Sequence, residues 1–372
     1  MSLYLSPAYL AVVRDRARAG EQPWSAACEQ LIAAAEEAMG QEPLSVRDNG
    51  GSPHLRIDGV YISGRDGVMD PEANKKSTNM AMQAGEAAAN LALAWRFTGE
   101  ARYADKALNL IHTWCINQNT RMFPAGRVED ARTPCGNYGG DVVMFLSFWK
   151  LFLAIYLLDG YPGWNLRSHA AVRRWVKRMT DPQRELMFHG GGEMYNNWED
   201  ERLVYLAHGS LALGDLDLLG DTFDRWKLTL PMKMTDEGEL PRETMRTRSM
   251  TYSLMALHAT TLLAEIARQF NVDLYDYQVN GKSLKLAIDY VAGYLLDMDK
   301  WPHQMIKSLA EEAAGANRAK FNQRFSLFEM AHRQWGDQRY LDIIDAYGGR
   351  PITRDHATLL CAGRDAAPAG LG

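Results

Sequence analysis

The chain has 372 residues, 47% of them apolar and 23% charged, which argues against disorder. A chain of this length buries roughly 75% of its unfolded surface, so neither disulfide nor metal is needed to hold a core. The formal charge of -5 excludes a generally basic nucleic-acid binder and leaves room only for a local basic groove.

Met1-Ser2-Leu3-Tyr4 opens the chain without the charged and then apolar order of an export leader. The expected location is therefore periplasmic or secreted if a leader was removed, and cytoplasmic otherwise. Helical periodicity follows at 7–18 and 22–39. A short piece around Leu55 to Ile62 is the nearest approach to a strand. In 79–98, Met80, Ala84, Ala87, Leu91 and Trp95 mark one helix face, and Tyr103, Ala107, Leu110, Ile111 and Trp114 mark the next. Val142 to Leu158 is barely long enough to span a membrane and carries Lys150 in its middle, so it is expected as a helix buried on nearly all sides. Further helices are predicted at 139–159, 165–180, 198–213, 215–229, 250–270, 282–297, 318–334 and 337–346.

Three turns share a signature: Thr98-Gly99-Glu100, Leu213-Gly214-Asp215 and Trp335-Gly336-Asp337. Glycine suits the left-handed position that closes one helix, and the acid stands where it can cap the next. Helical hairpins joined this way, at irregular intervals and with long loops at 40–78, 120–138 and 231–249, predict an all-α (α/α) toroid of about five to six hairpins. Residues 1–372 are expected to form one catalytic domain with a lid-like loop around 50–75.

Several familiar chemistries find no support. His189-Gly190-Gly191-Gly192 imitates an esterase oxyanion hole, but no Gly-x-Ser-x-Gly elbow accompanies it. Cys28, Cys115, Cys135 and Cys361 are scattered without a CxxC pair, and the nine histidines form no ligand pair at helical spacing. No metal, cofactor, nucleic acid or membrane partner is expected.

Polar density gathers in two places. Met194-Tyr195-Asn196-Asn197-Trp198-Glu199-Asp200 follows the glycines, and one asparagine of that pair is explained by helix capping alone. Asp236-Glu237-Gly238-Glu239-Leu240-Pro241-Arg242-Glu243-Thr244-Met245-Arg246-Thr247-Arg248 leads to Tyr252 at the head of an apolar helix. By itself this could be a salt-bridged loop with a core tyrosine. The order of the two motifs resembles the alginate lyase family of (α/α) toroid polysaccharide lyases. Asp58-Gly59-Val60-Tyr61 to Pro71, Leu91 to Ala107, and Leu262 to Val291 extend the likeness over about 50 to 300 of the chain.

The resemblance implies β-elimination on an acidic, uronate-containing polysaccharide. The C5 proton beside a carboxylate becomes removable once that carboxylate is neutralised. Asn197 matches the family's neutralising asparagine, Arg246 its arginine, and Tyr252 the tyrosine that takes the C5 proton and protonates O4. A free tyrosine titrates at about 10, so a neighbouring guanidinium is useful to it. Asn196, Trp198, Arg248, Arg65 and Asn119 are the expected substrate contacts, with Arg242 and Arg56 able to make the cleft basic.

Family members closest to true alginate lyases read Asn-Asn-His, and Trp198 stands in the histidine position here. Syn elimination needs only one group to serve as base and then acid, so the change favours β-1,4-linked polymannuronate or polyglucuronate. His189, His54 and His208 are alternative sources of a histidine. A toroid glycoside hydrolase using Glu199, Asp200 or Glu243, and a non-catalytic sugar-binding relative, are the other readings.

Overall fold

The computed structural model describes residues 7–45, 76–122, 148–190, 195–305 and 323–362. The lid-like loop around 50–75, the extended piece at Leu55 to Ile62, and His54, Arg56, Arg65 and Cys135 lie outside the described residues. The helices are α1 (Pro7–Arg18), α2 (Trp24–Met39), α3 (Lys76–Thr98), α4 (Ala101–Cys115), α5 (Trp149–Leu157), α6 (Leu166–Glu185), α7 (Asn197–Leu213), α8 (Leu216–Lys233), α9 (Pro241–Thr244), α10 (Ser249–Gln269), α11 (Leu284–Leu295), α12 (Ser326–Trp335), α13 (Gln338–Ala346) and α14 (Ala357–Cys361). Their positions follow the sequence periodicity closely. The one sheet among the described residues is a two-stranded antiparallel pair, Gln278–Val279 with Lys282–Ser283.

Contacts divide the chain into two compact units. One comprises Met1–Leu31, Tyr195–Glu201 and Phe223–Gly372; the other comprises Ile32–Met194 and Arg202–Thr222. In the second unit α3 packs on α4 and α5, and α4 on α6. Trp114, Phe148 and Trp175 form a chain of edge-to-face rings at 5.4 and 6.0 Å, a geometry that the ring quadrupoles favour. Lys150, the charge inside the apolar 142–158 stretch, ion-pairs with Glu86, which explains its place in that otherwise buried helix. Among the described residues no helix is long and apolar enough to cross a membrane.

In the first unit α10 is the central helix, packed on α9, α11 and α12, with α12 in turn against α13 and α14. One buried carboxylate, Glu265 of α10, accepts from the Tyr275 hydroxyl at 2.6 Å and from Arg268 at 2.6 Å, with Arg333 at 3.4 Å. Burial pushes its carboxyl up, but the two arginines and the hydroxyl outweigh that and hold it below the usual range. A buried charge survives where it is paired on every side in this way.

The hairpin turns are as expected at glycine and only partly so at the acid. Gly99, Gly214 and Gly336 have φ of 79°, 64° and 69°, the left-handed region where a side chain is strained. Asp215 accepts from the Leu218 N–H at 3.0 Å and Asp337 from the Arg339 N–H at 3.0 Å, so both cap. Glu100 makes no cap bond. Its longer side chain reaches instead to the Arg102 guanidinium at 2.7 Å.

Candidate active site

The two polar motifs of the sequence meet within the first unit. Asn196 and Asn197 differ in role. Asn196 Oδ1 accepts from the Trp198 N–H at 3.2 Å, and its carbonyl accepts from Glu199 at 3.0 Å, so Asn196 is the cap of α7. Asn197 begins the helix and is 2% exposed. Trp198 is half-buried beside it.

The 235–248 segment is shaped by its own residue types. Thr235 and Glu239 close a turn, with the Thr235 N–H donating to the Glu239 carbonyl at 2.9 Å. Gly238 has φ of 94°, and a Cβ there would lie 2.5 Å from the Leu286 carbonyl oxygen of α11, so only glycine fits. Pro241 then starts the short α9, where its fixed φ suits the first helical position. Arg248 stands at the N-cap of α10 and its carbonyl accepts the Tyr252 N–H at 3.0 Å. Ser249 Oγ bonds the Gln304 carbonyl at 2.7 Å and receives the Trp301 indole N–H at 2.8 Å. The base of the Tyr252 helical turn is therefore pinned from both sides.

Arg246 joins these parts. Its Nη1 donates to Asn197 Oδ1 at 3.1 Å, its guanidinium carbon lies 3.5 Å from the centre of the Tyr252 ring, and Nη1 stands 3.6 Å from Glu243 Oε2. Because a guanidinium only donates, the Asn197 oxygen must face it, which turns the amide NH2 elsewhere. Tyr252 is half-buried and Arg246 keeps 22% of its side chain exposed, so both can be reached from solvent.

Beneath them lie acids that sequence reasoning offered as hydrolase candidates. Glu199 is fully buried and accepts from Arg225 Nε at 2.8 Å. Asp200 pairs with Lys233 and receives the Thr260 hydroxyl at 3.3 Å; burial raises its carboxyl, with Lys233 opposing. Glu243 is 1% exposed and accepts the Asn197 N–H through Oε1 at 2.6 Å. Burial pushes its carboxyl up to about 7 against the pull of the Asn197 N–H, Arg246 and Lys233. All three are committed to partners below the surface.

The structure thus brings Asn197, Arg246 and Tyr252 together, with Asn196, Trp198 and Arg248 on the adjoining backbone. Asn119 belongs to the other unit, exposed in the turn after α4, where its N–H meets Asn117 Oδ1 at 3.0 Å. His208 also belongs to that unit; it is buried, bonded through Nδ1 to the Val204 carbonyl at 2.9 Å, with its ring 4.7 Å from Trp149. The side chain of His189 lies outside the described residues. The linking role of Glu243 was missed; its spacing of three from Arg246, one helical turn, was the available signal. Among the described residues no group of acids, histidines or cysteines is arranged to hold a metal ion.

The all-α fold and the family match show a polysaccharide lyase of the (α/α) toroid class. The alginate lyase family model matches residues 15–301, and the chain belongs to that family. An alginate lyase from Bacteroides ovatus is similar over 96% of this chain and 98% of its own, at 21% identity and a TM-score of 0.78. Alginate lyase A1-III from Sphingomonas species A1 is similar over 97% of each chain, at 18% identity and a TM-score of 0.67. A tyrosine-to-phenylalanine variant of A1-III, complexed with a tetrasaccharide, gives 17%, 97% of each chain and 0.67. No curated protein matches the chain by sequence.

Proposed function

We propose that the protein cleaves a β-1,4-linked polyuronate, polymannuronate as in alginate or polyglucuronate, by syn β-elimination at Tyr252. The observation that carries this reading is the Arg246 guanidinium, stacked on the Tyr252 ring and bonded to Asn197. Arg246 and the Asn197 amide neutralise the substrate carboxylate, which acidifies the neighbouring C5–H. The Tyr252 oxygen takes that proton, the C5–H electrons form the C4–C5 double bond, the C4–O4 bond breaks, and the departing O4 receives the proton from Tyr252. The guanidinium over the ring stabilises the phenolate that takes the C5 proton and is re-formed when that proton passes to O4.

Family membership supports an acidic polysaccharide as substrate, and the structurally similar A1-III variant was complexed with a tetrasaccharide. Trp198 in place of the family histidine supports syn over anti geometry, since mannuronate and glucuronate present H5 and O4 on one side. A polymeric substrate supports a periplasmic or secreted location over the cytoplasmic alternative. The test is the ultraviolet absorbance of the unsaturated uronate, followed with polymannuronate, polyguluronate and glucuronan. Tyr252→Phe should lower kcat about 10²–10⁴-fold with polymer binding retained. Reducing ends released without that absorbance would instead identify a hydrolase, and a folded wild type inert towards all three would overturn the reading.

A further inference from the structure

Glu243 is a buried carboxylate with a divided role. Oε1 accepts the Asn197 N–H at 2.6 Å, whereas Oε2 has no hydrogen-bond partner and faces Arg246 Nη1 at 3.6 Å. At 1% exposure it cannot touch a polymer. A glutamine could accept the Asn197 N–H equally well, without placing a charge in a buried site. The part that only a carboxylate can play is the pull of Oε2 on the guanidinium. That guanidinium touches Asn197 Oδ1, the Tyr252 ring and Glu243. Glu243 enters two of these contacts, directly through Oε2 and indirectly by holding the Asn197 N–H through Oε1.

We infer that Glu243 is a positioning residue for the elimination: its charge draws Arg246 across the Tyr252 ring while its other oxygen fixes the start of α7 at Asn197. The inference rests on the lyase reading above. The charged groups around Glu243 are Arg246 from its own segment, Asp200 from α7 and Lys233 from α8. Lys233 is tied to Asp200, and the guanidinium of Arg246 faces Glu243 Oε2 at 3.6 Å.

Glu243→Gln separates this from simple capping, because it keeps the acceptor for the Asn197 N–H and removes the charge. Wild type should show a kcat that rises with pH through a step at about 7, where Glu243 ionises. Glu243→Gln should fold, keep KM within about threefold, lose kcat about 10–100-fold and lose that step. An unchanged kcat, or a step that persists in the variant, would overturn the inference. If wild type cleaves no polyuronate, the lyase reading fails by itself, and crystal structures decide the role of Glu243. Arg246 leaving the Tyr252 ring in Glu243→Gln or Glu243→Ala upholds it, and Arg246 unmoved in both overturns it.

Discussion

The guanidinium carbon of Arg246 lies 3.5 Å from the centre of the Tyr252 ring, although Arg246 belongs to the loop before α10 and Tyr252 to its first turn. A flat cation can cover a ring and donate in its own plane to Asn197 at once. An ammonium is compact and cannot do both.

Arg246→Lys therefore keeps the charge and should still lose activity. A fall in kcat/KM of about 10–100-fold is expected, read from initial rates of double-bond formation, with melting temperature little changed. Equal rates for lysine and arginine would show that charge alone matters.

Trp198 sits on the first turn of α7 beside Asn197, where the resemblance to alginate lyases implies a histidine. Trp198→His should add a base on a second face and extend cleavage to polyguluronate, where H5 and O4 are anti. Product absorbance with polyguluronate, absent in wild type and present in the variant, is the measurement.

Glu243 also carries a stability signature. Its folded carboxyl titrates at about 7 against an ordinary 4.5, so the folded state holds the proton more tightly than the unfolded one. Its contribution is fully present below 4.5 and is lost as pH rises through 7, a span of about 3 kcal/mol. Urea unfolding at pH 4.5, 6 and 8 should show wild type falling relative to Glu243→Gln by an amount of that order.

Gly238 should tolerate no side chain. Its φ of 94° and the Leu286 carbonyl 2.5 Å from a Cβ there make Gly238→Ala strained twice over, with a cost of about 2–4 kcal/mol. Denaturant unfolding measures the cost. Because the same turn leads into α9 and Arg246, activity should fall below what the loss of folded protein explains.

Much of this architecture was legible in the chain. Apolar residues at steps of three and four fixed α3 and α4 to within a few residues, because a helix must bury one face wherever it packs. The glycines of the three turns were readable for a similar reason, since left-handed backbone has few other occupants. The acids beside them were less so. Asp215 and Asp337 cap, Asp337 also pairing with Arg339, whereas Glu100 pairs with Arg102 and makes no cap bond.

The composition and the order of motifs by themselves determined an all-helical chain of the alginate lyase family and named Asn197, Arg246 and Tyr252. The helices follow from periodicity, while the family and the three residues follow from the resemblance carried by the order of the motifs. Tertiary structure alone decided what each polar residue does. Asn196 and Asn197 are neighbours, yet one caps α7 and the other bonds Arg246. Glu199, Asp200 and Glu243 are all acids, yet each answers a different cation. The reason is physical: a buried charge is set by whatever lies within a few ångströms of it, and Glu243 lies 46 residues from the Asn197 N–H it receives.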